Sequence, residues 1–155
     1  MTNAARELIA RLDLAPLAGE GGYFRVTWRS EGGSAIVFLL TPDDFSALHR
    51  IAQDEMWHFY EGDAVEHLQI NSRSGVTRRT LLGSDILAGE QRQVSIPAGT
   101  WQGARIRPAA QPRGFALLGC TVTPPWEESG FELARSTEFQ NVRNEDTQLI
   151  EALMR

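Results

Sequence analysis

The chain has 155 residues, 42% hydrophobic and 23% charged, with a net charge of −5; this fits one globular domain burying about 68–70% of the surface its unfolded form exposes. An acidic balance argues against nucleic-acid backbones and anionic membrane surfaces as partners, since both recruit basic patches. All 15 basic residues are Arg and none is Lys, which excludes Schiff-base chemistry on a lysine.

Residues 3–12 place Ala5, Leu8, Ile9 and Leu12 on one face at helical spacing, with Asn3 as the expected cap. The N-terminus lacks the long apolar run of a signal peptide, and no apolar run reaches membrane-spanning length. A cytoplasmic, soluble protein is expected. Pro16, Gly19, Gly21 and Gly22 then break the helical pattern, and the G-E-G-G run reads as a turn.

Strand signals follow. Residues 22–30 alternate Tyr23, Arg25, Thr27 and Arg29 against Phe24, Val26 and Trp28, and residues 35–40 form a continuous apolar run. Further strands are expected at 47–52, 55–60, 65–71, 76–82, 92–97, 101–106 and 114–122, with an edge strand at 131–133. Short strands with frequent turn signals and few helices between them argue an all-β antiparallel sandwich or barrel. Cys120 is the only cysteine, so no intramolecular disulfide forms and a reducing compartment is expected; its apolar run G-F-A-L-L-G-C-T-V reads as a buried strand. Residues 145–154 close the chain with Leu149, Ile150, Leu153 and Met154 on a helical packing face. No linker divides the chain, so residues 1–155 read as one domain, with a barrel core over about 20–135.

Chemistry-bearing residues concentrate between Asp43 and Gly62, in D-D-F-S-A-L-H-R-I-A-Q-D-E-M-W-H-F-Y-E-G. Strand parity puts His49 with Ile51, and Glu55 with Trp57 and Phe59; Met56, His58 and Tyr60 take the other side. The turn between the strands leaves the side taken by His58 open. A His and a Glu on adjacent strands of a small barrel can converge on its interior, where such folds hold ligands. The run I-P-A-G-T-W-Q, residues 96–102, brings Trp101 or Gln102 to the same mouth.

These residues resemble the cupin superfamily, whose first motif is G-x5-H-x-H-x3–4-E-x6-G and whose second is G-x5-P-x-G-x2-H. His49, Glu55 and Gly62 match the first motif, and Pro97 and Gly99 the second; Asp43, Ile51, Gln91 and Gln102 depart from them. More closely, E-G-G-Y-F-R from Glu20, the segment Phe38 to Arg50, D-E-M-W-H-F-Y-E-G-D from Asp54, P-A-G-T-W-Q from Pro97 and Gly114 to Val122 resemble the fifth cupin family, a family of small uncharacterised proteins. The resemblance implies a double-stranded β-helix, the cupin jelly-roll barrel, with flanking N- and C-terminal helices. It also implies a homodimer with a small-molecule pocket inside the barrel.

Cupin metals typically sit on three His and one Glu. Here Ile51 has no donor atom and the Gln102 carbonyl is a weak neutral ligand, so a metal-free pocket is expected. A divalent metal, if held, would sit on His49, Glu55 and Gln102, with His58 as a substitute. Without a metal, His49 qualifies as a general base, Glu55 as its orienter, and Tyr23 or Tyr60 as an acid. By analogy with metal-free sugar epimerases of similar fold, the first reading is a small-molecule-binding protein acting as a sugar-type epimerase or isomerase. The alternative is a non-catalytic module for a sugar-like or aromatic metabolite, its pocket lined by Tyr23, Arg25, Trp57, Phe59, Trp101 and Gln102, with Arg25 and Arg50 as anion anchors. A third reading is a metal-dependent cupin enzyme with a degenerate ligand set.

Overall fold

Alternating apolar residues in the first half of the chain fold into extended hairpins, and helices flank them at both ends. The computed structural model describes residues 1–139, 142 and 145–155. Helix α1 spans Asn3–Arg11. Its cap is Thr2 rather than Asn3: the Thr2 hydroxyl accepts from the Ala5 N–H at 3.3 Å, and Asn3 is already helical.

Eleven strands are described: β1 (Ala15–Pro16), β2 (Tyr23–Ser30), β3 (Gly33–Leu40), β4 (Ser46–Arg50), β5 (Asp54–Gly62), β6 (Val65–Ile70), β7 (Thr77–Leu82), β8 (Gln93–Ile96), β9 (Trp101–Ile106), β10 (Ala116–Thr123) and β11 (Glu132–Leu133). The two-residue β1 is too short to leave a periodic signal. Helix α2 covers Thr147–Ala152, shorter than the stripe suggested. The strands form two antiparallel sheets, ordered β1-β2-β3-β10-β5-β8 and β11-β4-β9-β6-β7. This is the jelly-roll barrel with flanking helices that the motifs implied.

Three apolar clusters hold it together. Between the sheets, Phe38, Leu40, Trp57, Phe59, Leu82, Ile96, Leu118 and Cys120 form the barrel core. Outside the five-stranded sheet, Leu48, Leu68, Ile70 and Trp101 pack against Leu149, Ile150 and Leu153 of the C-terminal segment. Outside the six-stranded sheet, Leu39 and Phe115 pack against Ala5 of α1 and Leu14, with Tyr23, Val37 and Leu117 alongside. Both sheets are therefore apolar on both faces over part of their area, and this decides which aromatics reach the interior. Among the described residues, no helix is long and apolar enough to cross a membrane.

Candidate functional site

The barrel core does not fill the interior. A cavity of about 370 Å³ remains, walled by Phe24, Ile36, Phe38, Ile51, Trp57 and Val122. Its polar groups include Glu20, His49, Glu55 and Cys120. Exposed Val26, Arg29 and Trp126 mark its opening. The segment before β11 crosses there: the Trp126 N–H donates to Ser34 Oγ at 3.0 Å, and Arg29 donates to the Trp126 carbonyl at 2.8 Å.

His49 is 3% exposed. Its Nδ1 lies 2.8 Å from the Ala47 carbonyl oxygen, which can only accept, so Nδ1 carries the proton. In the neutral ring, Nε2 is then the nitrogen that carries the lone pair. The nearest carboxylate to Nε2 is Glu20 Oε2 at 3.8 Å, and Phe131 stacks on the ring at 5.5 Å between centroids. The orienting contact expected from Glu55 is thus made by the Ala47 carbonyl.

Glu20 reaches this place because its turn is docked onto β4. The Glu20 carbonyl accepts from the Ala47 N–H at 2.9 Å, and its Oε1 accepts from the Ser46 hydroxyl at 2.7 Å. Gly21 makes the docking feasible: φ is +105°, and a Cβ there would lie 2.2 Å from the Phe45 carbonyl oxygen.

Glu55 comes from the opposite sheet, and its Oε2 accepts from the Gln102 amide nitrogen of β9. Burial raises the Glu55 pKa, opposed by His49 and the Gln102 hydrogen bond and reinforced by the charge on Glu20. The Trp57 indole N–H also favours the anion, although it makes no hydrogen bond of good geometry. The Cys120 thiol is pushed far up, first by burial and then by Glu55, so it stays a neutral thiol.

Behind Gln102 lies His67 of β6, fully buried, with Nε2 3.1 Å from the Gln102 side-chain oxygen. With Nε2–H donating to that oxygen, Gln102 is fixed with its N–H group toward Glu55. Burial is the main cause lowering the His67 pKa to about 4, against an ordinary 6.5. Between these values the unfolded chain binds a proton at this site that the folded chain refuses. Stability is therefore unaffected by His67 above pH 6.5 and is lost as pH falls toward 4, by about 3 kcal/mol at full development. Glu55 has the opposite sign, because a raised carboxylate takes up its proton in the folded state first. Urea midpoints at pH 7 and pH 4 should show the loss, and His67→Gln should remove the His67 share of it.

Of the residues expected at the site, His49, Glu55 and Trp57 line the cavity, and Gln102 supports Glu55 from behind. Tyr23, Arg25, Phe59 and Trp101 do not line it. Tyr23 and Arg25 have the parity opposite to Phe24 and Val26; Tyr23 packs in the cluster beneath α1 and Arg25 is exposed. Phe59 faces inward but sits in the packed core, with the Arg92 guanidinium 5.8 Å from its ring. Trp101 joins the cluster that includes α2, with Phe139 edge-on and the Arg50 guanidinium 4.5 Å away. Arg50 itself pairs with Glu132 at 2.6 Å. His58 lies on the side opposite Trp57, between Thr121 at 3.0 Å and Gln93 at 2.8 Å, and Tyr60 on that side is half exposed.

Glu20, Phe24, Cys120 and Phe131 line the cavity without having been singled out for it. The one sequence signal for Glu20 was an acidic residue set among glycines at the head of E-G-G-Y-F-R.

The donor set does not fit the metal of the fold family. Ile51 contributes only a hydrocarbon wall, and Gln102 turns its N–H, not its oxygen, toward Glu55. Among the described residues, no group of three His, Cys, Asp or Glu is placed to hold a metal ion.

The fold and site can be compared with known proteins. A protein from Shewanella oneidensis of known structure is 32% identical, with a TM-score of 0.86, over 100% of this chain and 99% of that one. A hypothetical protein from Leishmania major is 27% identical, also with a TM-score of 0.86, over 97% and 98% of the two chains. A dTDP sugar isomerase from Desulfovibrio desulfuricans is similar in fold alone, at 18% identity and a TM-score of 0.59, covering 82% of this chain and 85% of that one. No curated protein matches this chain in sequence. The model of the Cupin superfamily (DUF985) family matches residues 6–134, and the chain belongs to that family.

Proposed function

We propose that the cavity binds a small, largely apolar carbonyl compound and catalyses an isomerase-type proton transfer on it without a metal. The observation that carries this reading is the free Nε2 of His49 inside the cavity, its tautomer fixed by the Ala47 carbonyl. His49 would act as the base and Glu55 as the acid. Nε2 takes a proton from the carbon next to the carbonyl. The C–H electron pair becomes a C=C bond, and the displaced carbonyl pair takes the proton of Glu55. Return of the proton to that carbon on the other face, with the enol O–H proton going back to Glu55, gives the epimer. Where that carbon bears a hydroxyl, return to the former carbonyl carbon, with the hydroxyl proton going to Glu55, gives the isomer, and both groups are restored. A raised pKa suits Glu55 to this role, since it keeps its proton to higher pH than an ordinary carboxyl.

The test is solvent deuterium. Ketones and aldehydes of ring size, the sugar-type ones included, should incorporate deuterium in the presence of the protein, read by NMR. A panel with no incorporation and no product would remove the catalytic reading. The mostly apolar wall supports a second reading, a binding module without chemistry, which a bound but unexchanged compound would favour.

Glu55→Gln separates function from stability. It removes a carboxyl group that burial disfavours as an anion, yet keeps an oxygen for the Gln102 N–H. The variant is expected to melt at or above the wild-type temperature while losing exchange. A large drop in melting temperature would make Glu55 a structural group instead.

A further inference from the structure

We propose that the cavity selects ligands carrying a protonated amine on an apolar, ring-sized body, with Glu20 as the residue that recognises the ammonium group. This rests on the cavity being the ligand site, as proposed above, and adds the charge class of the ligand.

Glu20 is 9% exposed and lines the cavity. Only one of its carboxylate oxygens is held, Oε1 by the Ser46 hydroxyl at 2.7 Å. The other, Oε2, faces His49 Nε2 at 3.8 Å, which is beyond a hydrogen bond. His49 Nε2 is equally without a hydrogen-bond partner on a side chain 3% exposed. Glu20 Oε2 thus faces the cavity with no hydrogen-bond donor on it. An ammonium group supplies three N–H donors and the missing positive charge.

At the inner end beside Glu20, no guanidinium lines the cavity. Arg29 is at the exposed opening, tied to the Trp126 carbonyl. Arg25 is exposed and outside the lining, and Arg50 pairs with Glu132. Glu128 adds a further acidic group. A carboxylate removed from water without a cation is costly, and a cationic ligand relieves that cost. Phe24, Phe38, Trp57 and Phe131 line the cavity and give it aromatic surface to pack an apolar body. An anionic ligand seated beside Glu20 would meet like charge, with the Arg29 guanidinium out at the opening and donating to the Trp126 carbonyl.

The test uses three probes of one shape: phenethylamine, 2-phenylethanol and phenylacetate, titrated into the full chain at pH 7 by calorimetry. The amine should bind at least about tenfold tighter than the alcohol, about 1.4 kcal/mol, with phenylacetate the weakest. Glu20→Gln keeps an acceptor for Ser46 and should bring the amine to within about threefold of the alcohol. If that variant does not fold, Glu20→Asp draws the carboxylate back by one methylene and should cut the amine preference at least threefold. Phenylacetate binding as tightly as the amine, or an amine preference that survives Glu20→Gln, overturns the inference and leaves the cavity as a binding site. No binding by any probe overturns both.

Discussion

His49→Gln is expected to lower proton exchange on a bound carbonyl compound by about 10²–10⁴-fold, the range that a positioned general base contributes. Glutamine is close in length and can still donate to the Ala47 carbonyl, so the ring's structural contact is largely kept while its basic nitrogen is lost. Circular dichroism and the melting temperature should be nearly unchanged, and ligand affinity should change far less than exchange. In the wild type, exchange should fall at high pH as Glu55 loses the proton that its raised pKa retains. A rate that stays within about threefold after His49→Gln would remove His49 as the base, whatever else the cavity does.

Gly62→Ala is expected to cost much stability for a single methyl group. Gly62 ends β5 with φ of +111°, and an added Cβ would lie 2.2 Å from the Phe115 carbonyl oxygen. Backbone strain of this kind costs about 1–3 kcal/mol on its own, and relief of the clash requires β5 and the residues before β10 to move apart. The midpoint of urea unfolding should drop accordingly, without a change in the cavity's charge preference in the fraction that remains folded. A shift below about 0.5 kcal/mol would mean that this turn relaxes freely. The closing glycine of the first cupin motif is thus required by backbone geometry and not by chemistry.

The strands were legible because alternation of apolar and polar residues has a period of two wherever one face of a sheet is buried. That same rule placed His49 beside Ile51 and Glu55 beside Trp57, and both pairs line the cavity. It could not distinguish the inner from the outer face where both are covered. Trp101 and Tyr23 are apolar-patterned because helical segments pack over them, not because they face a ligand. Phe59 was assigned to the right face but lies in the filled part of the barrel, and depth along a strand has no periodic signature. Glu20 escaped for a different reason. Its position depends on a turn docking against a strand some 26 residues later in the chain, through the Ser46 and Ala47 contacts, and local propensity carries no record of that.

The bond from Gln102 to Glu55 joins one sheet to the other. It makes the proton affinity of Glu55 a gauge of the distance between the two layers. Loosening the layers lengthens the bond and admits water, and tightening them strips water away, so packing and acidity move together. Substitutions at Val94, Ala104 or Leu118, in the barrel core and outside the cavity lining, then become dials for the proton affinity of Glu55. Exchanging methyl groups in the core would then shift the acidity of Glu55 with every polar residue of the site left in place.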